Sequence, residues 1–313
     1  MGSFSSKDLE SLIRHHRGDP DGDISFRRIV TGKFNTSYFV NAGNEQLVLR
    51  IAPARNEVFV FYERDMMRQE PDIHHLVLSQ TAVPVPHILT YDDSHTLIDR
   101  DFLIMERLPG LPLTEAHSVS NDLVLKQVGE YLAQVHSLTA EYYGYLGAHQ
   151  PMEPQPTWLD AFEIMWNKMI DDVVMVGHYD AEESEMMRSL LDQYIAMFDH
   201  PVPASLLHMD IWHQNILVNR EGNVTGLVDW DRALWGDPEI EFAVLDYCGI
   251  SEPAFWEGYG QKRDLSDPAR IRQVFYLLYE VQKYIVIRHG RGRDPVAAKR
   301  YKRQVMEIAQ KYL

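Results

Sequence analysis

The stretch LLHMDIWHQNILVN, Leu206 to Asn219, sets His208, Asp210, His213 and Asn215 into an otherwise apolar run. NILVN and the later VTGLVD, joined by the turn REGN, read as a β-hairpin. Asp210 and Asn215 lie just before its first strand and Asp229 just after its second, so antiparallel pairing brings Asn215 and Asp229 together. Two oxygen ligands on one hairpin suit Mg²⁺, which takes few protein ligands and completes its shell with phosphate and water. Asp210 is then free to act as a base, where a metal and a nucleophile meet. Two plainer patterns compete. Polar side chains before a strand also cap turns, and His208, Asp210 and His213 have the spacing of a hydrolytic metal centre. No further His-rich segment completes that second set.

The elements that must position these residues are legible in outline. Up to about residue 106, ISFRRIV, TSYFVN, QLVLRI, PVPHILTYDD and RDFLIMERLPG read as strands around one helical stretch. In QLVLRI, Leu47, Leu49 and Ile51 share one face, and Val48 and Arg50 share the other. A charge on that second face needs a partner or a ligand. From about Glu57 to Gln80, Met66, Glu70, Ile73 and Val77 recur at helical spacing. Pro71 either breaks this helix or sits in the first turn of one that starts there. Beyond Pro109-Gly110 the pattern changes to long amphipathic helices, with Val124, Val128, Tyr131, Val135 and Leu138 on one side of the first. Thr157 with Asp160, Asp237 before Pro238, and Asp267 before Pro268 mark helix starts. The plan is an α+β fold: a small β-rich lobe over residues 1–107, a hinge, and a larger helical lobe over 108–313.

Composition narrows the function. One cysteine, Cys248, excludes internal disulfides and a cysteine-built zinc site, and its apolar neighbours place it in the core. The net charge of −16 disfavours a nucleic-acid partner and fits a cationic small molecule. The basic run Lys299, Arg300, Lys302 and Arg303 reads as the wet face of a helix. No apolar run reaches the roughly 18 residues of a membrane span, and the N-terminal stretch lacks a signal-peptide core. The expectation is a cytoplasmic protein, a monomer or weak dimer, with no membrane partner.

HMDIWHQN followed by LVDWD resembles the catalytic loop and metal aspartate of the aminoglycoside phosphotransferase family, which shares the protein-kinase-like bilobal fold. TGKFNTSY is similar to that family's nucleotide loop, LVLRI to its third strand, and LIMERLPG to its hinge. LAQVHSL and WGDPEIEFA also match, so the resemblance runs from about Arg28 to Tyr247. It implies transfer of the γ-phosphoryl group of ATP or GTP to a free hydroxyl of a small molecule. The implied acceptor is a cationic antibiotic, an aminoglycoside or macrolide, or else a metabolite of choline, homoserine or ketoamine type. A nucleotide-binding relative without activity is a further alternative. Asp210 becomes the catalytic base, and Asn215 and Asp229 the Mg²⁺ ligands. Gly32, Asn35 and Ser37 belong to the nucleotide loop, and Glu106 to Leu108 hold the purine by their backbone. Arg50 touches the α- and β-phosphates, steadied by Glu70 or by Glu63, and His208 is structural. Asp231 reaches the metal or the substrate, or else caps a turn, and Asp171, Asp172, Glu239 and Glu241 are candidate acceptor contacts. The sequence departs from the pattern in having Arg50 in place of lysine and a single glycine, Gly32, in the nucleotide loop.

Overall fold

The computed structural model describes residues 4–18, 22–32 and 34–313; Lys33 of the nucleotide-loop motif lies outside them. Strands β1 (Ile24–Ile29), β2 (Thr36–Ala42), β3 (Glu45–Ile51), β4 (Ile88–Asp92) and β5 (Phe102–Glu106) form one antiparallel sheet in the order β1-β2-β3-β5-β4. The alternation in β3 holds. Leu47, Leu49 and Ile51 pack with Leu9, Leu12 and Ile13 of helix α1 (Ser6–Arg17). Val48 lies on the other face with Met67, Leu103 and Met105. Helix α1 adds to the expected plan. Its signals are a capping box of Ser5 with Asp8 and the helical spacing of its three buried residues.

The helical pattern over 57–80 is realised only in its second half. A single 3₁₀ turn, Met66–Gln69, precedes α2 (Glu70–Gln80), which carries Pro71 in its first turn. Proline has no N–H to donate and its ring clashes with a preceding helical turn, so the helix begins at it rather than passing through it. The non-helical connection ahead of α2 leaves the sheet and enters the helical lobe. Val60 and Tyr62 are buried among Tyr145, Met165 and Tyr279. The Tyr62 ring stacks on Tyr145 with centroids 4.9 Å apart, and the Phe61 N–H donates to Asp172 Oδ2 at 2.6 Å.

The helical lobe contains α3 (Asn121–His136), α4 (Trp158–Met175), α5 (Ala181–Tyr194), α6 (Pro238–Cys248), α7 (Pro253–Tyr259), α8 (Asp267–His289) and α9 (Pro295–Tyr312). Thr157 and Asp237 cap α4 and α6 as expected, while α8 is capped by Ser266, one residue before the expected Asp267. Two small sheets complete the lobe. One joins β6 (Leu111–Pro112) to the expected hairpin of β9 (Ile216–Val218) and β10 (Val224–Leu227), in the order β10-β9-β6. The other joins β7 (Thr139–Ala140), β8 (Ala204–Leu207) and β11 (Leu234–Gly236), in the order β11-β8-β7. Strand β8 delivers the chain to the polar loop, and its four buried residues show no alternation by which to foresee it. Burial pushes the Cys248 thiol up to about 12, in keeping with a packing role. Among the described residues no helix is long and apolar enough to cross a membrane.

Asp172 joins the two lobes under tension. Burial pushes its carboxyl up to about 7 against the Phe61 N–H that favours the charged form. A carboxyl raised on folding gives its greatest stability below the ordinary carboxylate range and loses it as pH rises from about 4 to about 7. Asp172→Asn keeps an acceptor for Phe61 and removes the charge. It is expected to raise Tm at about pH 8, by roughly 2–4 °C per kcal/mol relieved, with the gain shrinking towards about pH 4.5. A gain that does not vary with pH would count against this account.

Candidate active site

The polar loop is built around one buried carboxylate. Glu241 of α6 accepts the Met209 N–H at 2.6 Å and the His208 N–H at 3.1 Å, and lies 2.8 Å from His136 Nε2. Burial pushes its pKa up, but the bonds from His136 and Met209 outweigh that and hold it below the usual carboxylate range. Met209 is thereby fixed at φ 64°, a left-handed conformation costing about 1–3 kcal/mol for a residue other than glycine. The Asp210 N–H donates to His208 Nδ1 at 3.2 Å, so Nε2 carries the ring proton and donates to the Val228 carbonyl at 3.2 Å. Burial lowers the His208 pKa, which favours this neutral tautomer. The Val228 N–H in turn donates to the Asn215 carbonyl at 3.0 Å, which registers the two polar segments against each other. His208 is the structural histidine expected of it. With both ring nitrogens spent on backbone it is no ligand for a hydrolytic metal centre. Among the described residues no group of three or more His, Cys, Asp or Glu side chains converges on a metal position.

Asp210 emerges from this loop between two donors. Asn215 Nδ2 donates to its Oδ2 at 3.0 Å and to its carbonyl at 2.9 Å, and Arg232 Nη1 donates to its Oδ1 at 3.0 Å. Arg232 Nη2 reaches Glu280 Oε2 at 3.3 Å, Lys283 pairs with the same carboxylate, and the Arg232 guanidinium lies over the Tyr62 ring at 5.5 Å. Burial raises the Asp210 pKa, and the charges of Arg232 and Lys283 more than reverse this, leaving it below its ordinary value. With its amide nitrogen committed to Asp210, Asn215 keeps its side-chain oxygen for a cation.

Arg50 faces this group from β3. Only 5 % exposed, it donates through Nη1 to Glu70 Oε2 at 2.5 Å and through Nη2 to Asp229 Oδ1 at 2.5 Å and Asp231 Oδ2 at 3.1 Å. Burial disfavours its charge, and Glu70, Asp229 and Asp231 outweigh that, so its pKa rises far above the ordinary guanidinium range. Of the two carboxylates weighed as its helix partner, the structure pairs Glu70 with it. Glu63 instead takes a bidentate bond from Arg291, at 2.5 and 2.7 Å. Asp229, at φ 75°, is a second left-handed residue of the site. The oxygens of Asn215 and Asp229 are the hard donors that Mg²⁺ requires, so the donor set fits that ion.

The nucleotide-loop residues are placed unequally. Asn35 is buried and its Nδ2 donates to Asp231 Oδ2 at 3.1 Å. Ser37 stands opposite Arg50 in the β2–β3 register. Gly32 is exposed, and its neighbour Thr31 accepts from Gln214 Nε2 at 3.4 Å. In the hinge, the Glu106 and Arg107 N–H groups are spent on the His87 and Gln46 carbonyls at 3.0 and 3.1 Å. Leu108 packs against Gly226, where an added Cβ would lie 2.7 Å from its Cδ1.

Sequence reasoning missed Arg232, Glu280, Lys283 and Tyr62. The pair Glu280 and Lys283, three apart on a helix, looks like an ordinary solvated ion pair, yet both are buried. The acidic residues put forward as acceptor contacts are engaged elsewhere. Asp171 pairs with Arg188, Asp172 holds Phe61, Glu239 takes two bonds from Arg272, and Glu241 organises the loop. Asp231 acts neither as a turn cap alone nor at a distance: it holds Arg50 and Asn35.

A buried strand cation paired to a helix carboxylate, facing a loop aspartate and an Asn/Asp pair across two lobes, defines a protein-kinase-like phosphotransferase. Residues 25–274 match the model of the phosphotransferase enzyme family (APH), and the chain belongs to that family. It is 24 % identical over 265 residues to a probable ketoamine kinase of Vibrio parahaemolyticus, a match covering 81 % of this chain and 83 % of that protein. The backbone superposes with a TM-score of 0.70, at 18 % identity, on a candidate fructosamine-3-kinase of Haemophilus somnus, covering 96 % of this chain and 97 % of the other. A thermostable form of aminoglycoside phosphotransferase APH(4)-Ia, in ternary complex with AMP-PNP and hygromycin B, gives 0.64 at 17 % identity, covering 97 % and 99 %. The chain is thus a small-molecule kinase of this family.

The charge balance at Asp210 generates a test. In Arg232→Gln the largest opposing charge disappears, and burial then pushes the Asp210 carboxyl upward. The acid limb of the pH–rate profile for phosphoryl transfer is expected to move up by about one unit or more. An unchanged limb would show that Arg232 does not govern this carboxylate.

Proposed function

We propose that this protein transfers the γ-phosphoryl group of ATP or GTP to a hydroxyl of a small metabolite. The observation that carries this reading is the placement of Asp210, held by Asn215 and Arg232, beside the segment whose Asp229 pairs with Arg50. Asp210 accepts a hydrogen bond from the acceptor hydroxyl, orients its oxygen and takes its proton. A new O–P bond forms as the bond from the γ-phosphorus to the β,γ-bridging oxygen breaks, through a loose and largely dissociative transition state. Asn215 and Asp229 are the residues that would hold Mg²⁺, which when bound supplies charge neutralisation on the triphosphate. Arg50, anchored by Glu70, turns from Asp229 to the α- and β-phosphates. Its planar fork suits phosphate oxygens. The Glu106 carbonyl and Leu108 are the hinge groups left to meet the purine, since the Glu106 and Arg107 N–H groups are spent in the sheet. Residues 1–107 form the nucleotide lobe and 108–313 the acceptor lobe, with Val60 and Tyr62 crossing from the first into the second.

The acceptor reading rests on charge. Arg232 and Lys283 stand beside Asp210, and the four acidic residues that would attract a polycation are committed to other partners. This favours a metabolite of ketoamine or related hydroxylated type, in line with the Vibrio relative's name. The net charge of −16 and the hygromycin-bound neighbour favour the second reading, an antibiotic acceptor.

Both are tested by incubating the protein with Mg²⁺, ATP or GTP, and a panel of ketoamines, sugars, hydroxy acids, aminoglycosides and macrolides. Mass spectrometry then seeks a gain of about 80 Da, one phosphoryl group. Asp210→Asn is expected to reduce transfer by about 10²- to 10⁴-fold while leaving nucleotide binding in place. A wild-type protein that binds neither ATP nor GTP would overturn the proposal.

A further inference from the structure

The nucleotide loop contains one glycine, so its placement cannot rest on the compliance that glycine-rich loops have. Three residues of this motif reach the helical lobe. Thr31 accepts from Gln214, Asn35 donates to Asp231, and between them Phe34 packs against the core of that lobe. The Phe34 ring meets Phe59 edge-on at 6.0 Å and carries the guanidinium of Arg291 above it at 4.7 Å. Arg291 lies in the turn between α8 and α9, far along the chain from the loop. It is held by its bidentate bond to Glu63, whose Oε2 also accepts the Val60 N–H at 2.8 Å. Gly290 lets this turn approach: a Cβ there would lie 2.5 Å from Val58 Cβ. The arginine is therefore pinned on one side by a buried carboxylate and presents its face to the aromatic ring.

We infer that Arg291, although it belongs to the helical lobe, positions the nucleotide loop through the ring of Phe34. The inference rests on the reading of TGKFNTSY, residues 31–38, as that loop. Phe34 and Arg291 are positioning residues: they hold the loop backbone where phosphates would bind.

The test measures the affinity of AMP-PNP with Mg²⁺ by calorimetric titration, together with Tm, for four variants. They are Phe34→Leu, Phe34→Tyr, the pair Glu63→Gln with Arg291→Gln, and that pair combined with Phe34→Leu. The Glu63 replacement avoids leaving its charge buried without a partner. Phe34→Leu and the Gln pair are each expected to weaken binding about 3- to 10-fold, and their combination no further than the weaker of the two. Phe34→Tyr keeps the aromatic face and is expected to bind as wild type. A fall in Tm with unchanged affinity, or losses that simply add, would overturn the inference and leave the loop assignment standing. A wild-type protein that fails to bind AMP-PNP overturns the loop assignment itself, and the inference with it.

Discussion

The structure depends on the burial of one positive charge. Arg50 is almost wholly removed from water, and an uncompensated guanidinium there would cost several kcal/mol. Glu70 comes from α2, and Asp229 and Asp231 from the segment after the β9–β10 hairpin. Sheet, helix and hairpin are therefore drawn to one point. The two lobes meet on it, with Arg50 of the sheet set against Asp229 and Asp231 of the helical lobe. Three carboxylates crowd one cation, and burial together with the Asp229 charge pushes Glu70 up to about 7 and raises Asp231.

A second buried chain of charges runs beside the first, from Asp210 through Arg232 and Glu280 to Lys283. Its members alternate in sign, so each offsets the desolvation of its neighbours. The end that reaches solvent is the Asp210 carboxylate. Strain is also stored at this place: Met209 and Asp229 both occupy left-handed backbone conformations, held by Glu241 and by the links between the two polar segments. Such strain persists only where the surroundings over-determine it. Here the buried Glu241 does so, with His136 and the loop amides as its donors.

The connection between β3 and α2 gives the fold its particular character. Val60 and Tyr62 pack into the helical core and Glu63 pairs with a residue near the C-terminal helix, so the sheet is tied to the larger lobe well beyond the hinge.

The proximity of Asp210, Asn215 and the segment of Asp229 was legible because a hairpin is local: turn residues and a period-two pattern suffice to bring its two ends together. The face of Arg50 was legible by the same period. Whether Glu70 or Glu63 would meet it was not, because the answer turns on where Pro71 lets a helix begin and on Arg291, whose bond to Glu63 spans 228 positions. Arg232 and Lys283 were hidden for a related reason, since burial of a charged side chain depends on which elements close over it, and no local pattern records that. Sequence alone therefore determined the chemistry available to this protein and the strands and helices that carry it. Only the tertiary structure decided which charge faces which, because in a buried network each pairing is settled by the sum of its distant neighbours.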